Sequence, residues 1–181
     1  MECIDGVILR MFMSELPGDE TPEIRIDRDG VWYYRNMEMT RSDIVGHFYR
    51  HLCRDSQGNY RIEVGQEHCR VQVDDVPYVI RSVSSRLSDE DGSVACVILS
   101  LSDGCDEALD PSTIRVGDGN VLYCRVKEKE HEARFSRQAY YQLVKYIQYD
   151  QNIDRYYMTV RNHSYALTIN QPLKEEAPYA G

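Results

Sequence analysis

The stretch IRIDRDGVWYYR, Ile24 to Arg35, recurs ninety residues later as IRVGDGNVLYCR, Ile114 to Arg125, with five of the twelve positions identical. In both copies, apolar residues alternate on either side of a turn-forming cluster, DRDG in the first and GDGN in the second. Gly30 can adopt the positive φ that such turns often require. Each copy is therefore predicted to form a β-hairpin.

A helical pattern and a second hairpin follow each copy. Thr40 precedes an apolar stripe that predicts a helix from about Arg41 to Arg54, with an acidic residue three positions after Thr40 as in a capping box. Ser136 holds the equivalent place before a helix predicted to reach about Tyr149. The closing hairpins are predicted around GQEH and RNHS. The offset between copies is 90 in the first hairpins and 96 from the helices onward, so one insertion near KEKEHEA explains the change.

These patterns predict an α+β fold made of two tandem duplicated β-β-α-β-β units with mainly antiparallel sheets. Two apolar segments between the copies, VPYVIRSV and SVACVILSLS, are predicted strands that complete the first sheet. Turn residues in 103–113 indicate the connection between the units. The predicted domains are an N-terminal arm (1–22), a first repeat (23–108), a second repeat (109–172) and a tail (173–181).

Composition narrows the function. Thirty acidic and 21 basic residues give a net charge of −9, which argues against nonspecific nucleic-acid binding. The six cysteines lack metal-ligand spacing, which favours free thiols in a reducing cytoplasm. No apolar run approaches the roughly 20 residues that span a bilayer. The motifs of serine hydrolases, P-loop proteins and dinucleotide-binding proteins are missing from the sequence, so we expect no cofactor and no metal, and no protein partner is assigned.

Several phrases of the sequence resemble a bacterial family, domain of unknown function 1285. They are IDRDGVWYY, TRSDIVGHF, YRIEV, VQVDDVPYV and EARFSRQAYYQLV. The resemblance covers roughly Ile24 to Ile169. It implies two duplicated α+β domains, of which the C-terminal one is similar to a pleckstrin-homology domain, with a ligand cleft between them and a part in signalling.

A set of arginines is the main candidate for ligand binding. Arg41 and Arg137 stand at equivalent helix starts, where backbone N–H groups and the helix dipole favour an anion. With the resemblance, this predicts a cytoplasmic binding or regulatory protein that holds a small anionic, nucleotide-like ligand at the interface of the duplicated domains. The predicted ligand-binding residues are Arg41, Arg137, Arg134, Glu132, Trp32 and Tyr34. The alternative for this set is structural, with Glu132 bonding an arginine that locks strand to helix.

Other constellations give weaker alternatives. His47 and His51 lie one helical turn apart, a spacing that suits zinc when a third ligand is supplied. Asp74 and Asp75 could bind a cation, although neighbouring strand residues point to opposite faces, so that one of them is expected to cap a turn or to meet an arginine. A metal-assisted hydrolase of a phosphorylated small molecule and a protein-interaction scaffold therefore remain as alternative functions. No catalytic residue is assigned.

Overall fold

The computed structural model describes residues 23–65, 67–89, 92–152 and 154–167. Within them the chain forms two compact units. The first contains the described residues up to Val79 together with Leu101–Cys105, and the second contains Ile80–Ser100 and the described residues from Asp106 onward. The predicted N-terminal arm and C-terminal tail lie outside the described residues.

The first unit is a six-stranded mixed sheet with one helix. Its elements are β1 (Ile24–Ile26), β2 (Trp32–Tyr34), β3 (Met37–Glu38), α1 (Ser42–Arg50), β4 (Leu52–Arg54), β5 (Tyr60–Val64) and β6 (Glu67–Val73). The strand order is β3-β2-β1-β6-β5-β4. β1 pairs with β6 in parallel, and the other pairings of this sheet are antiparallel.

The core of the first unit consists of inward-facing strand residues and the apolar side of α1. Ile24, Ile26 and Ile62 are almost fully buried, as is Phe48 on the helix. Trp32 packs between Phe48 and Tyr49, with ring centroids 5.7 and 5.0 Å away. Alternation of these residues along short strands is what directs one sheet face to the helix.

The second unit contains two sheets. Its elements are β7 (Tyr78–Leu87, which begins in the first unit), β8 (Val94–Leu101), β9 (Asp106–Ala108), β10 (Arg115–Val116), β11 (Leu122–Val126), β12 (His131–Phe135), α2 (Arg137–Val144), β13 (Ile147–Asp150), β14 (Arg155–Val160) and β15 (His163–Ala166). Single 3-10 turns lie at Pro111–Thr113 and Asp118–Asn120. The larger sheet has the order β10-β11-β12-β7-β8-β9, and β13-β14-β15 form a separate three-stranded sheet.

The structure confirms the α+β class and corrects several details. The predicted β-β-α-β-β order is wrong. Three strands precede α1 in the first unit, six precede α2 in the second, and three follow each helix. α1 ends at Arg50, and Leu52 pairs with Ile62 in β4–β5. Likewise α2 ends at Val144, and the residues before Tyr149 pair with β14. Short apolar runs fit a helix or a strand equally well in sequence, and partner strands decide between them.

Two further predictions differ from the structure. The segments that form β7 and β8 do not complete the first sheet, because both strands belong to the larger sheet of the second unit. For the same reason, the division at Val79 differs from the boundary expected at 103–113. No helix among the described residues is long and apolar enough to cross a membrane.

The helix starts also differ from each other. Ser136 caps α2, since its side-chain oxygen accepts a hydrogen bond from Ala139 N at 3.2 Å. At α1, the residue in the cap position is Arg41, which makes no side-chain cap bond, so the capping box expected from Thr40 is not formed. Only the second of the two predicted caps is therefore confirmed.

Candidate functional site

A row of three side chains crosses the outer face of the larger sheet in the second unit. Tyr123 on β11 pairs with Arg115 on β10 and, on its other side, with Arg134 on β12. The neighbours of Tyr123 in sequence, Leu122 and Cys124, are buried on the opposite face. Strand alternation thus places the aromatic ring between two guanidinium-bearing residues.

Arg115 lies over the ring of Tyr123 and reaches β12. Its Cζ is 4.2 Å from the ring centroid, and its Nε donates to Glu132 Oε1 at 2.7 Å. Stacking on an aromatic face and bonding to a carboxylate fix the plane of the guanidinium. Close packing here depends on Gly117, because a Cβ at that position would lie 2.6 Å from Tyr123 Cε2.

A third guanidinium belongs to the same face. Arg125 lies two residues after Tyr123 and pairs directly with Glu132 across the strands. Its Nη1 donates to the backbone oxygen of Lys129 at 3.3 Å. We call the five residues Arg115, Tyr123, Arg125, Glu132 and Arg134 the arginine face. With three arginines and one glutamate, it is locally positive in a chain whose net charge is −9.

The loop beside the arginine face has an unusual backbone. Lys127, Glu128 and Lys129 have φ values of 53°, 55° and 73°, a left-handed conformation that costs roughly 1 kcal/mol or more per non-glycine residue. Two ion pairs hold it: Lys127 Nζ to Glu107 Oε1 and Lys129 Nζ to Asp110 Oδ2, both at 2.7 Å. This loop is where the sequence predicted an insertion relative to the first copy.

The first unit has a row at equivalent positions. Arg25 and Tyr33, ninety residues before Arg115 and Tyr123, also pair across a hairpin, with Arg25 Cζ 4.5 Å from the ring centroid. Arg25 Nη1 bonds Asp74 Oδ2 at 2.6 Å. On the other side of Tyr33, however, stands Glu38, where the second unit has an arginine. The hydroxyl of Tyr33 donates to Asp27 at 3.1 Å, and this bond raises the pKa of Tyr33.

The structure brings together only two of the six predicted ligand residues. Glu132 and Arg134 share one face of β12. The arginine bonded by Glu132 is Arg115, which the sequence analysis missed. The repeated Ile-Arg pair at the start of both hairpins was the signal that could have identified it.

The other predicted ligand residues lie elsewhere. Trp32 is 1% exposed and belongs to the core, so it offers no aromatic face to a ligand. Tyr34 carries the guanidinium of Arg35 over its ring at 5.1 Å. Arg41 is exposed and bonds Asp43 at 2.5 Å, and this contact lowers the pKa of Asp43. Arg137, the first residue of α2, lies over Tyr141 in the second unit.

The weaker alternatives are placed as follows. His47 is buried on α1, and the half-buried His51 follows the last residue of that helix, with ring centroids 4.6 Å apart. Asp74 meets Arg25, as the sequence analysis expected of one of the two aspartates. Within the described ranges, no three His, Cys, Asp or Glu residues are grouped so that they could hold a metal ion.

The five described cysteines are free thiols. Burial raises the pKa of Cys53, Cys69 and Cys124, most strongly at Cys124 in the core of the second unit. A raised pKa disfavours the thiolate that a nucleophile needs. We therefore interpret these three cysteines as packing residues and not as nucleophiles.

The fold and this face define a two-unit α+β protein with a positively charged sheet surface. Residues 17–76 match the family model described as domain of unknown function (DUF1285), N-terminal domain. The resemblance to the DUF1285 family is thereby confirmed.

Two crystal structures of DUF1285 family proteins share the fold. One, from Silicibacter pomeroyi DSS-3, is 18% identical, with a TM-score of 0.66, and the match covers 83% of this chain and 81% of that one. Another, from Shewanella baltica OS155, is 22% identical, with a TM-score of 0.57, over 70% of this chain and 94% of that one. No curated protein matches the chain.

Proposed function

We propose that this chain is a non-catalytic binding protein for a small anionic ligand, which the arginine face contacts. The observation that carries the proposal is the row Arg115–Tyr123–Arg134, with Arg115 oriented by the ring and by Glu132. Guanidinium groups bind phosphate and carboxylate through paired hydrogen bonds, and an oriented group loses less entropy on binding.

The ligand we propose is recognised by charge and hydrogen bonds without base stacking. Tyr123 is 8% exposed beneath Arg115, so its ring offers little surface for a base. Of the expected nucleotide-like ligand, we therefore propose that only the anionic part, a phosphate or pyrophosphate group, contacts the arginine face.

We also propose that the two units arose by duplication of one ancestral unit. Equivalent bonds close the first hairpins, Asp27 N to Val31 O at 3.0 Å and Gly117 N to Val121 O at 2.8 Å. The closing hairpins share their register at the offset of 96, with Ile62 paired to Cys69 and Met158 paired to Tyr165. A cytoplasmic, regulatory role and a pleckstrin-homology-like second unit remain predictions.

Duplication supplies an internal control for the ligand site. The row in the first unit has Glu38 in the place of Arg134 and Asp27 in the place of Gly117, and Asp74 bonds its arginine. These carboxylates repel an anion. We therefore expect the first row to act as a structural cross-strand contact, while the second binds ligand.

The test is isothermal titration calorimetry with pyrophosphate at low ionic strength. Arg134→Ala should weaken binding about tenfold or more, as expected for loss of a charge-assisted hydrogen bond. Arg25→Ala, the same kind of change in the row of the first unit, should leave the affinity within about twofold. Absence of binding to the unaltered protein, or equal losses in both variants, would refute the proposal.

A further inference from the structure

The C-terminal part of the second unit differs in composition from the rest of the chain. Between residues 134 and 167 there are five basic and two acidic residues, although acids predominate in the whole chain. The same segment holds seven of the 14 tyrosines. Tyrosine and arginine are the side chains that protein interfaces favour, because they combine large contact areas with hydrogen bonding.

Three of these residues form a stripe along the exposed side of α2 and its C-cap. Arg137, Tyr141 and Lys145 are spaced four residues apart, so they follow one another on one side of the helix. Ala139 and Leu143 are buried on the opposite side. We call Arg137, Tyr141 and Lys145 the α2 ridge.

The α2 ridge presents an aromatic ring between two cations. Tyr141 is 52% exposed, and Arg137 Cζ lies 5.9 Å from its ring centroid. A large side chain held at the surface by a neighbouring cation is pre-organised for contact with a partner.

At the C-terminal end of the α2 ridge, the charge of Lys145 is not balanced by neighbours in sequence. No acidic residue occurs between Arg134 and Tyr149. Within the described part of the chain, Lys145 makes no ion pair. On the following strands, the exposed Tyr149 contacts the half-buried Tyr156, with ring centroids 4.9 Å apart.

We propose that the α2 ridge docks an acidic segment of a protein partner. Arg137 and Lys145 are eight residues apart, about 12 Å along a helix, which matches about four residues of an extended peptide. Charge complementarity supplies orientation and the tyrosine supplies buried area. This proposal does not depend on the arginine face.

The experiment is an NMR titration of the full chain with an oligo-glutamate peptide of about ten residues, with backbone amide shifts followed at low salt. Shifts should concentrate on α2 and reach Lys145. The double variant Arg137→Glu/Lys145→Glu should weaken binding about tenfold or more, and Tyr141→Ala should weaken it less. The control is Arg28→Glu/Arg50→Glu, which changes the net charge equally at two exposed positions of the first unit.

Three outcomes would overturn the proposal. Equal weakening in the control variant would show that only net charge matters. Shifts confined to the arginine face would place acidic peptides there instead. Tighter binding of an oligothymidylate of similar length than of the peptide would indicate a nucleic-acid surface.

Discussion

Single residues explain why two rows with the same arginine and tyrosine have different chemistry. Arg25 and Arg115 both lie over a tyrosine ring, at 4.5 and 4.2 Å from its centroid. The residue on the far side of the ring is Glu38 in the first unit and Arg134 in the second. The arginine–tyrosine contact is common to both rows, and the change from glutamate to arginine beside it makes the second row more basic than the first.

At this scale Gly117 has a definite role. A Cβ there would lie 2.6 Å from Tyr123 Cε2, and its neighbours include Arg115 Nη1 at 3.3 Å. We expect Gly117→Ala to displace the ring and to lower the free energy of unfolding by about 1–3 kcal/mol. Urea denaturation measures this change.

Gly46→Ala is the control for that prediction. Gly46 lies inside α1, and a Cβ there meets only Arg50 Nη1, at 3.8 Å. Alanine should stabilise the helix by up to about 1 kcal/mol. If both alanine variants changed stability in the same direction, the steric account of Gly117 would fail.

At the scale of secondary-structure elements, the two helices differ in how they begin, and the second unit has a left-handed turn held by ion pairs. The Oγ of Ser136 accepts from Ala139 N at 3.2 Å, while α1 begins without a side-chain cap. The left-handed turn at 127–129 is held by ion pairs with Glu107 and Asp110. The Ser136 cap directly follows β12, and the turn at 127–129 joins β11 to β12, so both lie next to strands that carry the arginine face.

The caps give a matched pair of variants. Ser136→Ala removes the acceptor for Ala139 N and should cost about 1 kcal/mol of stability. Thr40→Ala, at the position equivalent in sequence, should have almost no effect, because Thr40 does not cap α1. Thermal unfolding of both variants provides the comparison, and a similar loss of Tm in both would contradict the assigned caps.

The loop predicts a dependence on pH. Hydrogen bonds from Lys129 and Ser112 lower the pKa of Asp110. A carboxyl whose pKa is lower in the folded state stabilises the fold above its unfolded pKa, about 3.9, and this contribution is lost as the pH falls through the folded value. Asp110→Asn should therefore lower the Tm at pH 7 and converge with the unaltered protein in acid. A difference that is independent of pH would contradict this cause.

At the scale of the whole molecule, the sequence predicted local patterns better than long-range pairing. The repeated hairpins and the turn at Gly30 were predictable because alternation and turn residues act over a few positions. The membership of β7 and β8 in the second unit was not, because it depends on strand partners far along the chain. Apolar segments of this kind fit either sheet until the partners are known.

The candidate site was predictable to the same limited extent. Glu132 and Arg134 were identified by residue type, but Arg115 becomes their neighbour only through the register of β10, β11 and β12. Trp32 illustrates the reverse error, since an aromatic residue suitable for stacking on a ligand is equally suitable for a core. The sequence shows which residues have side chains suited to binding, whereas the contacts of those side chains depend on the strand register of the sheet.

The most direct test of ligand binding at the arginine face is a crystal structure of the protein soaked with pyrophosphate at low salt. Our account predicts density for the anion within hydrogen-bond distance of the guanidinium groups of Arg115 and Arg134, with the row of Arg25 and Tyr33 unchanged. An anion bound at Arg25 instead, or bound with no contact to Arg115 or Arg134, would contradict it.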